Sequence, residues 1–177
     1  MYGSGVLRKE CVEIDKDYPE LNKLVEDMFA TMYASQGVGL AAPQIGKDIR
    51  LFVADGTPFE DVDPTAKDFK RVCINPEIVE ESDMEVLMNE GCLSVPGIHE
   101  DVYRPEEVTI RYFDLDFVEH EEHLTGWPAR IVQHEYDHLD GYVFTDRLSN
   151  LRKTLLRNKL SAMSKGKFTC AYRTKQR

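Results

Sequence analysis

Two histidines separated by one helical turn, His134 and His138, stand in the stretch IVQHEYDHLDG. On an α-helix, residues i and i+4 project from the same face, so both imidazoles could bind one cation. Glu135 follows the first histidine and is rotated by about 100° around the helix, so it could act on a water molecule without being a ligand. Pro128 before the stretch and Gly141 at its end favour a helix. The HExxH pattern alone is moderately specific for metal, because surface helices also carry neighbouring histidines.

A catalytic metal site usually has three protein ligands and one position open to water. Nothing after His138 supplies the further histidine or glutamate that zincin-type proteases place there, so a third ligand must come from elsewhere. The candidates are the remaining histidines and the cysteines, namely His99, His120, His123, Cys11, Cys73, Cys92 and Cys170.

The surroundings of these candidates differ. His120 and His123 lie in VEHEEHL, which we interpret as a polar hairpin turn at the surface. Cys73 lies in an apolar strand, where a free cysteine usually behaves as a small buried hydrophobe. Cys92 lies in NEGCLSVPG, where a preceding glycine and a following VPG turn could place the thiol at a strand end facing a cleft. Spacing alone favours Cys92 only weakly, so the residues by themselves leave the third ligand open.

Composition limits the class of protein. The 177 residues fit a single domain, 1–177, and the formal net charge of −10 argues against specific binding to DNA. We expect a cytoplasmic protein with reduced thiols, because no signal-peptide or membrane segment and no CxxC pair is present. Basic residues are concentrated near the C-terminus and predict a basic helix and tail at about 149–177, with Arg152, Lys153, Arg157, Lys159, Lys165, Lys167, Arg173, Lys175 and Arg177.

The hydrophobic pattern predicts an α+β fold. Apolar residues recur at helical spacing between Pro19 and Gly37, and a last helix should start near Ser149 with five apolar residues on roughly one face, Leu151, Leu155, Leu156, Leu160 and Met163. Between them, the runs IRLFV, RVCINPEIV, MEVLMN, EEVTIRYFD and DFVEHEEHL predict short antiparallel strands, and residues 55–68 predict an exposed loop. We expect these strands to pack around a central HExxH helix, with an N-terminal and a C-terminal helix.

Three segments match one family in order and spacing: GVGLAAPQIG at residues 37–46, EGCLS at 90–94 and QHEYDH at 133–138. With these motifs the chain resembles the bacterial peptide deformylases, and the similarity extends over residues 2–160. The resemblance implies a metal-dependent hydrolase that removes the formyl group from the N-terminal formylmethionine of nascent polypeptides and releases formate.

The resemblance also implies a set of site residues. Cys92, His134 and His138 would bind one divalent metal ion, Fe²⁺ in cells, although the same donors suit Zn²⁺, Ni²⁺ or Co²⁺. Glu135 would be the general acid and base, while the side chain of Gln44 and the backbone N–H of Leu93 would stabilise the oxyanion. The peptide would pair as an added strand beside the glycine-rich segment, and the residues expected to contact it are Val38, Gly39, Met88, Gly91, Trp127 and Ile131.

Partners and departures follow from the same resemblance. The partners would be N-formylmethionyl peptides and, transiently, the ribosome through the C-terminal helix, and the protein would be a monomer without membrane contact. Three positions depart from the family pattern: His99 stands where arginine is common, Trp127 where smaller residues are frequent, and Gly5 where proline is usual.

The residues by themselves leave two alternative functions open. An HExxH metalloendopeptidase is disfavoured because no third ligand follows the motif. A noncatalytic binding module stabilised by a closed metal site would need a fourth protein ligand, for which the sequence offers no clear candidate.

Overall fold

Three α-helices flank the strands in the computed structural model, which describes residues 1–174: α1 (Leu21–Ala34), α2 (Gly126–Leu139) and α3 (Asn150–Ser164). α1 forms where the sequence predicts it, because Leu21, Met28 and Met32 recur at helical spacing and bury one face. Ser149 caps α3 by accepting a hydrogen bond from the Arg152 N–H at 3.3 Å. None of the helices within residues 1–174 has the length and apolar character needed to cross a bilayer.

Within residues 1–174 the strands form two antiparallel sheets, which confirms the predicted α+β class. The larger sheet has the order β1-β2-β3-β6-β7, with β1 (Gly39–Ala41), β2 (Leu51–Asp55), β3 (Lys70–Glu81), β6 (Glu107–Phe113) and β7 (Glu119–Thr125). The smaller sheet is a hairpin of β4 (Glu85–Cys92) and β5 (Val95–Pro105). Alternate residues of β6 are buried, among them Val108 and Ile110, so this strand has one inward face.

The HExxH helix α2 lies at the centre, as predicted. Its apolar residues Ile131, Val132 and Leu139 share one core cluster with Phe52 of β2 and Ile110 of β6. Most of its polar residues are buried as well, including both histidines. Because α2 is packed on several sides, the positions of its two histidines are fixed.

Two features of the sheets differ from the sequence interpretation. The predicted strand in DFVEHEEHL is confirmed as β7, but VEHEEHL is therefore not a hairpin turn; in β7, Leu124 is buried while His123 is exposed and lies 3.3 Å from Glu107. The sequence also gave no sign of β5, because the inward-facing positions of this strand include the charged residues Glu100 and Arg104. Buried charges break the apolar alternation by which a half-buried strand is recognised.

Two surface interpretations also need correction. The segment 55–68 contains two short 3-10 turns, Thr57–Phe59 and Pro64–Ala66, and Ala66 is buried, so it is not simply an exposed loop. In α3, Leu160 and Met163 are buried, but Leu151 and Leu155 are 69% and 62% exposed, so the five apolar residues do not share one buried face. Lys175 and Arg177 of the predicted basic tail lie outside the described residues.

A buried charge network joins the β4–β5 hairpin to α2. The Arg104 guanidinium is fully buried and donates to both carboxylate oxygens of Glu90, at 2.6 and 3.0 Å, and to Asp137 at 2.7 Å. Glu90 also accepts from Arg130 at 2.7 Å, and Asp137 accepts two hydrogen bonds from Arg147. Each buried charge is therefore paired and hydrogen-bonded, as a low-dielectric interior requires.

Replacing Arg104 by methionine tests this network. Arg104→Met keeps an unbranched side chain but removes the positive charge that pairs with the buried carboxylates of Glu90 and Asp137. We therefore expect a loss of about 3–5 kcal/mol in the free energy of unfolding. Urea denaturation measures the loss, with Arg111→Met as a surface control that should leave the midpoint unchanged, because the Arg111–Glu121 pair is largely exposed. A loss below about 1 kcal/mol in Arg104→Met would show that the network does not stabilise the fold.

Candidate active site

The structure brings Cys92, His134 and His138 together. Cys92 ends β4, and the two histidines project from the same side of α2 one turn apart. The Cys92 Sγ lies 3.3 Å from His138 Nε2, and the possible ligand atoms of all three residues lie within 4.8 Å of one another. Among the described residues, this is the group of histidines, cysteines and acids that is close enough to hold a metal ion.

Hydrogen bonds behind the histidines orient both rings. His134 Nδ1 lies 2.8 Å from the Glu90 carboxylate, and His138 Nδ1 lies 3.1 Å from the Tyr142 carbonyl oxygen. Both partners are acceptors, so each Nδ1 carries the hydrogen. The Nε2 lone pairs are left for a cation, which is the usual arrangement of metal-binding histidines.

The two histidines favour the thiolate form of Cys92. Burial by itself would raise the pKa of the Cys92 thiol, but the charge of His138 and a hydrogen bond with His134 hold that pKa well below its ordinary value. Burial likewise opposes protonation of His134, yet hydrogen bonds with Cys92 and Glu90 raise its pKa well above the usual range. A thiolate is the form of cysteine that binds metal, and a divalent cation can replace the proton shared in this cluster.

Glu135 lies beside the cluster but outside the charge network. Its side chain is buried, and among the described residues its Oε2 is the buried side-chain atom without a hydrogen-bond partner. Burial raises the pKa of Glu135 to about 7. One sulfur donor, two imidazole donors and an unpaired carboxylate oxygen fit a catalytic metal centre, where a carboxylate next to the ligands exchanges a proton with water.

Gln44 presents its amide N–H groups to this site. It lies in the 3-10 turn Ala42–Ile45, directly after β1, and its Oε1 accepts the Ala41 N–H at 2.7 Å. This contact directs Nε2 to the opposite side, 3.2 Å from Ser94 Oγ and 3.6 Å from Cys92 Sγ. A donor held in this way is preorganised to stabilise negative charge that develops near the cysteine.

Most of these groups, with the exception of the fully buried His138, line one cavity of about 470 Å³. The predicted contact residues Val38, Gly39, Gly91, Trp127 and Ile131 line it, together with Gln44, Cys92, Leu93, His134 and Glu135. Met88 of β4 is not among the described residues that line the cavity, so its contact with the substrate stays a prediction.

Several lining residues were not foreseen. Phe59 stacks on Trp127 with ring centroids 3.8 Å apart, although its segment reads as a loop in the sequence. Arg130 lines the cavity, and its guanidinium pairs with Glu90. In the sequence, only its position on the same helix as the two histidines could have indicated that it lies near the site. The C-terminal residues Thr169, Cys170, Ala171 and Tyr172 also line the cavity, and no pattern in FTCAY predicts it.

Two glycines are required by close contacts. A Cβ atom on Gly39 would lie 2.4 Å from Glu135 Oε1, and one on Gly91 would lie 2.5 Å from the His99 ring. Both distances are far below van der Waals contact. The glycine-rich segment therefore brings the backbone of β1 directly against the carboxylate of Glu135.

Comparison with known proteins agrees with this geometry. The family model described as polypeptide deformylase matches residues 1–154. The chain belongs to this family. The peptide deformylase of Christiangramia forsetii is 47% identical over 179 residues, covering 97% of this chain and 91% of that protein, and that of Flavobacterium johnsoniae is 48% identical over 181 residues, covering 98% and 92%.

Solved structures give the same result. Peptide deformylase 1B of Arabidopsis thaliana superposes with a TM-score of 0.83 at 38% identity, covering 93% of this chain and 88% of that one. The peptide deformylase of Thermotoga maritima has a TM-score of 0.76 at 38% identity, covering 84% and 95%. The protein is thus a hydrolase of the deformylase family that acts on formylated nascent peptides.

The contact between Gly39 and Glu135 predicts the effect of a single methyl group. In Gly39→Ala, the new methyl should displace the Glu135 carboxylate, and we expect kcat for formate release to fall at least about tenfold while the metal content is retained, because a displaced catalytic base transfers protons poorly. Steady-state kinetics and metal analysis measure both quantities. Gly5→Ala is the control for glycine loss, since an added Cβ there meets nothing within 4 Å and the residue does not have a positive φ. Equal kcat in Gly39→Ala and wild type would contradict the placement of Glu135.

Proposed function

We propose that Cys92, His134 and His138 hold one divalent cation, ferrous iron in the cell, with zinc, nickel or cobalt able to occupy the same donors. The supporting observation is the convergence of a thiolate and two imidazoles whose Nδ1 atoms are already engaged elsewhere. A cation bound there would lower the pKa of a water molecule and polarise the formyl carbonyl.

In this proposal Glu135 transfers the protons. It accepts a proton from the water that attacks the formyl carbon, and it then donates a proton to the amine nitrogen that leaves as the C–N bond breaks. Support comes from its pKa of about 7 and from its unpartnered buried oxygen. A group with such a pKa can be both an acceptor and a donor at neutral pH.

Gln44 and Leu93 would stabilise the oxyanion. The formyl oxygen gains negative charge during the attack, and hydrogen-bond donors that already point to that position lower the barrier by about 3 kcal/mol each. Gln44 Nε2 is directed towards Cys92 by the contact of its oxygen with Ala41. The Leu93 N–H is the second donor, because it belongs to the peptide group that directly follows the cysteine.

The cavity would hold the peptide. We assign contacts with the formylmethionyl residue to Val38, Gly39, Gly91, Trp127 and Ile131, because they line the cavity that contains Glu135. An extended peptide would pair as an added strand between the Gly39 and Gly91 segments, both of which line the cavity. The flat Phe59–Trp127 stack supplies apolar surface for the methionine side chain.

The rival functions receive less support. The third candidate ligand, Cys92, comes from the hairpin before α2, whereas a zincin-type endopeptidase takes it from after the helix. A closed structural site would need a fourth protein ligand, and the cluster found within residues 1–174 has three members. The observation that carries deformylation is that Cys92 and His134 of this cluster line one cavity together with Glu135 and Gln44.

The assigned roles predict different losses for Glu135 and for the ligands. Glu135→Ala should bind metal normally but release formate from formyl-Met-Ala about 10²–10⁴-fold more slowly, because only proton transfer is lost. Cys92→Ala and His134→Ala should lose both metal and activity. Anaerobic purification, metal analysis and a formate assay test this, with the exposed His123→Ala as a matched control. Retention of a full equivalent of metal by Cys92→Ala or His134→Ala would contradict the ligand set.

We further propose that residues 1–177 act as one catalytic unit, a cytoplasmic monomer that contacts the ribosome transiently through α3. Nascent formylated peptides emerge from the ribosome, which supports both the compartment and the partner. Leu151 and Leu155 on α3 are exposed and lie in a segment that also carries Lys153 and Arg157.

Charge reversal on α3 tests the ribosome contact. Lys153→Glu combined with Arg157→Glu should reduce co-sedimentation with ribosomes at least about threefold at low salt, because attraction to RNA phosphates depends on basic side chains. Formate release from free peptides should not change. Lys23→Glu on the exposed surface of α1 is the control. Equal pelleting of wild type and the double variant would rule out this contact.

A further inference from the structure

The chain after α3 turns back towards the active site. Gly166 has a φ of +77°, and the Lys167 N–H donates to the Ala162 carbonyl at 2.9 Å, which ends the helix and reverses the direction of the chain. Phe168 then packs against the core cluster that contains Val95 and Ile98 of β5. The next residues are therefore held beside the β4–β5 hairpin that carries Cys92.

Residues 169–172, which we call the C-terminal strap, line the same cavity as Glu135 and His134. The Tyr172 hydroxyl donates to the Leu93 carbonyl oxygen at 2.6 Å. The Cys170 thiol donates to the Tyr172 carbonyl at 3.2 Å. The strap is thus joined by a hydrogen bond to the residue that follows Cys92.

The strap lies at the mouth of the cavity. Thr169 and Ala171 line the cavity but are solvent-exposed, whereas Glu135 and His134 are buried at its inner end. A substrate whose formyl group reaches Glu135 must have the rest of its peptide pass through the mouth. The residues that follow formylmethionine would therefore lie next to the strap.

We propose that the C-terminal strap is part of the substrate cleft and contacts the peptide residues that follow formylmethionine. Tyr172 is the positioning residue, because its hydrogen bond to Leu93 fixes the strap against the cleft. This inference rests on the proposed assignment of the cavity to formylated peptides. It makes the C-terminal segment a determinant of preference among peptides of different length.

A purely structural role for the strap would give a different result. The peptide group whose carbonyl accepts from Tyr172 also has an N–H, that of Ser94, which donates to Cys92 Sγ at 3.4 Å. In a purely structural role, loss of the strap would disturb the Cys92 sulfur through this peptide group. Such a disturbance would change kcat equally for all substrates, whereas a lost substrate contact would raise KM for longer peptides only.

The experiment compares formylmethionine amide with formyl-Met-Ala-Ser. Tyr172→Phe removes the hydroxyl alone, truncation after Phe168 removes the strap but keeps the residue packed in the core, and Tyr103→Phe on β5 is the control for loss of an exposed tyrosine hydroxyl. We expect truncation to raise KM for the tripeptide about tenfold and Tyr172→Phe about threefold, in the range of one or two lost hydrogen bonds. KM for the amide and kcat for both substrates should stay within about twofold of wild type. The reason is that a contact between the strap and the peptide is equally strong in the ground state and in the transition state, so its loss changes KM but not kcat.

Calorimetry of the product peptide Met-Ala-Ser gives a second readout independent of turnover, and its Kd should rise in parallel. An equal loss on both substrates, an increase in activity on both, or no change on either would overturn the proposal, and thermal melting of each variant identifies a loss of fold. Failure of the wild type to release formate from either substrate would instead refute the assigned activity, and the calorimetric comparison would still test the strap.

Discussion

Arg104 lies fully buried between two carboxylates, Glu90 on the hairpin and Asp137 on α2, and the candidate site depends on this contact. The hairpin carries Cys92 and the helix carries His134 and His138, so the network sets the distance between the sulfur and the imidazoles. Glu90 also accepts from His134 Nδ1, which means that the same carboxylate that holds the two elements together orients a candidate ligand. Position and tautomer are therefore controlled by one buried group.

Two buried carboxylates that line the same cavity, Glu90 and Glu135, have opposite protonation properties. Burial would raise the pKa of Glu90, but hydrogen bonds with His134 and Arg104 lower it far below its usual range, so this side chain stays charged. Glu135 accepts no hydrogen bond at Oε2 from the described residues, and burial raises its pKa to about 7. Such a division between a permanently ionised carboxylate and one that exchanges protons is typical of hydrolase active sites. The charge network therefore both supports the fold and excludes Glu90 from the proton transfer assigned to Glu135.

The residues of the proposed metal site could be predicted from the sequence, whereas strand β5 and the contact of Phe59 with Trp127 could not. Histidines at i and i+4 must share a helix face, so their pairing could be predicted from spacing. The flanking glycine favoured Cys92 only weakly, and the family motifs identified it; the three residues are found together. Strand β5 was missed because it buries Arg104 and Glu100, whose cost is offset only by partners distant in sequence. The stacking of Phe59 on Trp127 depends in the same way on a tertiary contact across 68 positions.

X-ray absorption spectroscopy at the edge of the bound metal tests the central claim most directly, because it reports the ligand atoms themselves. Protein purified anaerobically and loaded with one equivalent of ferrous iron, or of zinc as a stable substitute, should show one sulfur and two imidazole nitrogens around the ion, together with a lighter oxygen donor that exchanges when formate is added. A spectrum without sulfur, or with four protein donors and no exchangeable oxygen, would contradict the account.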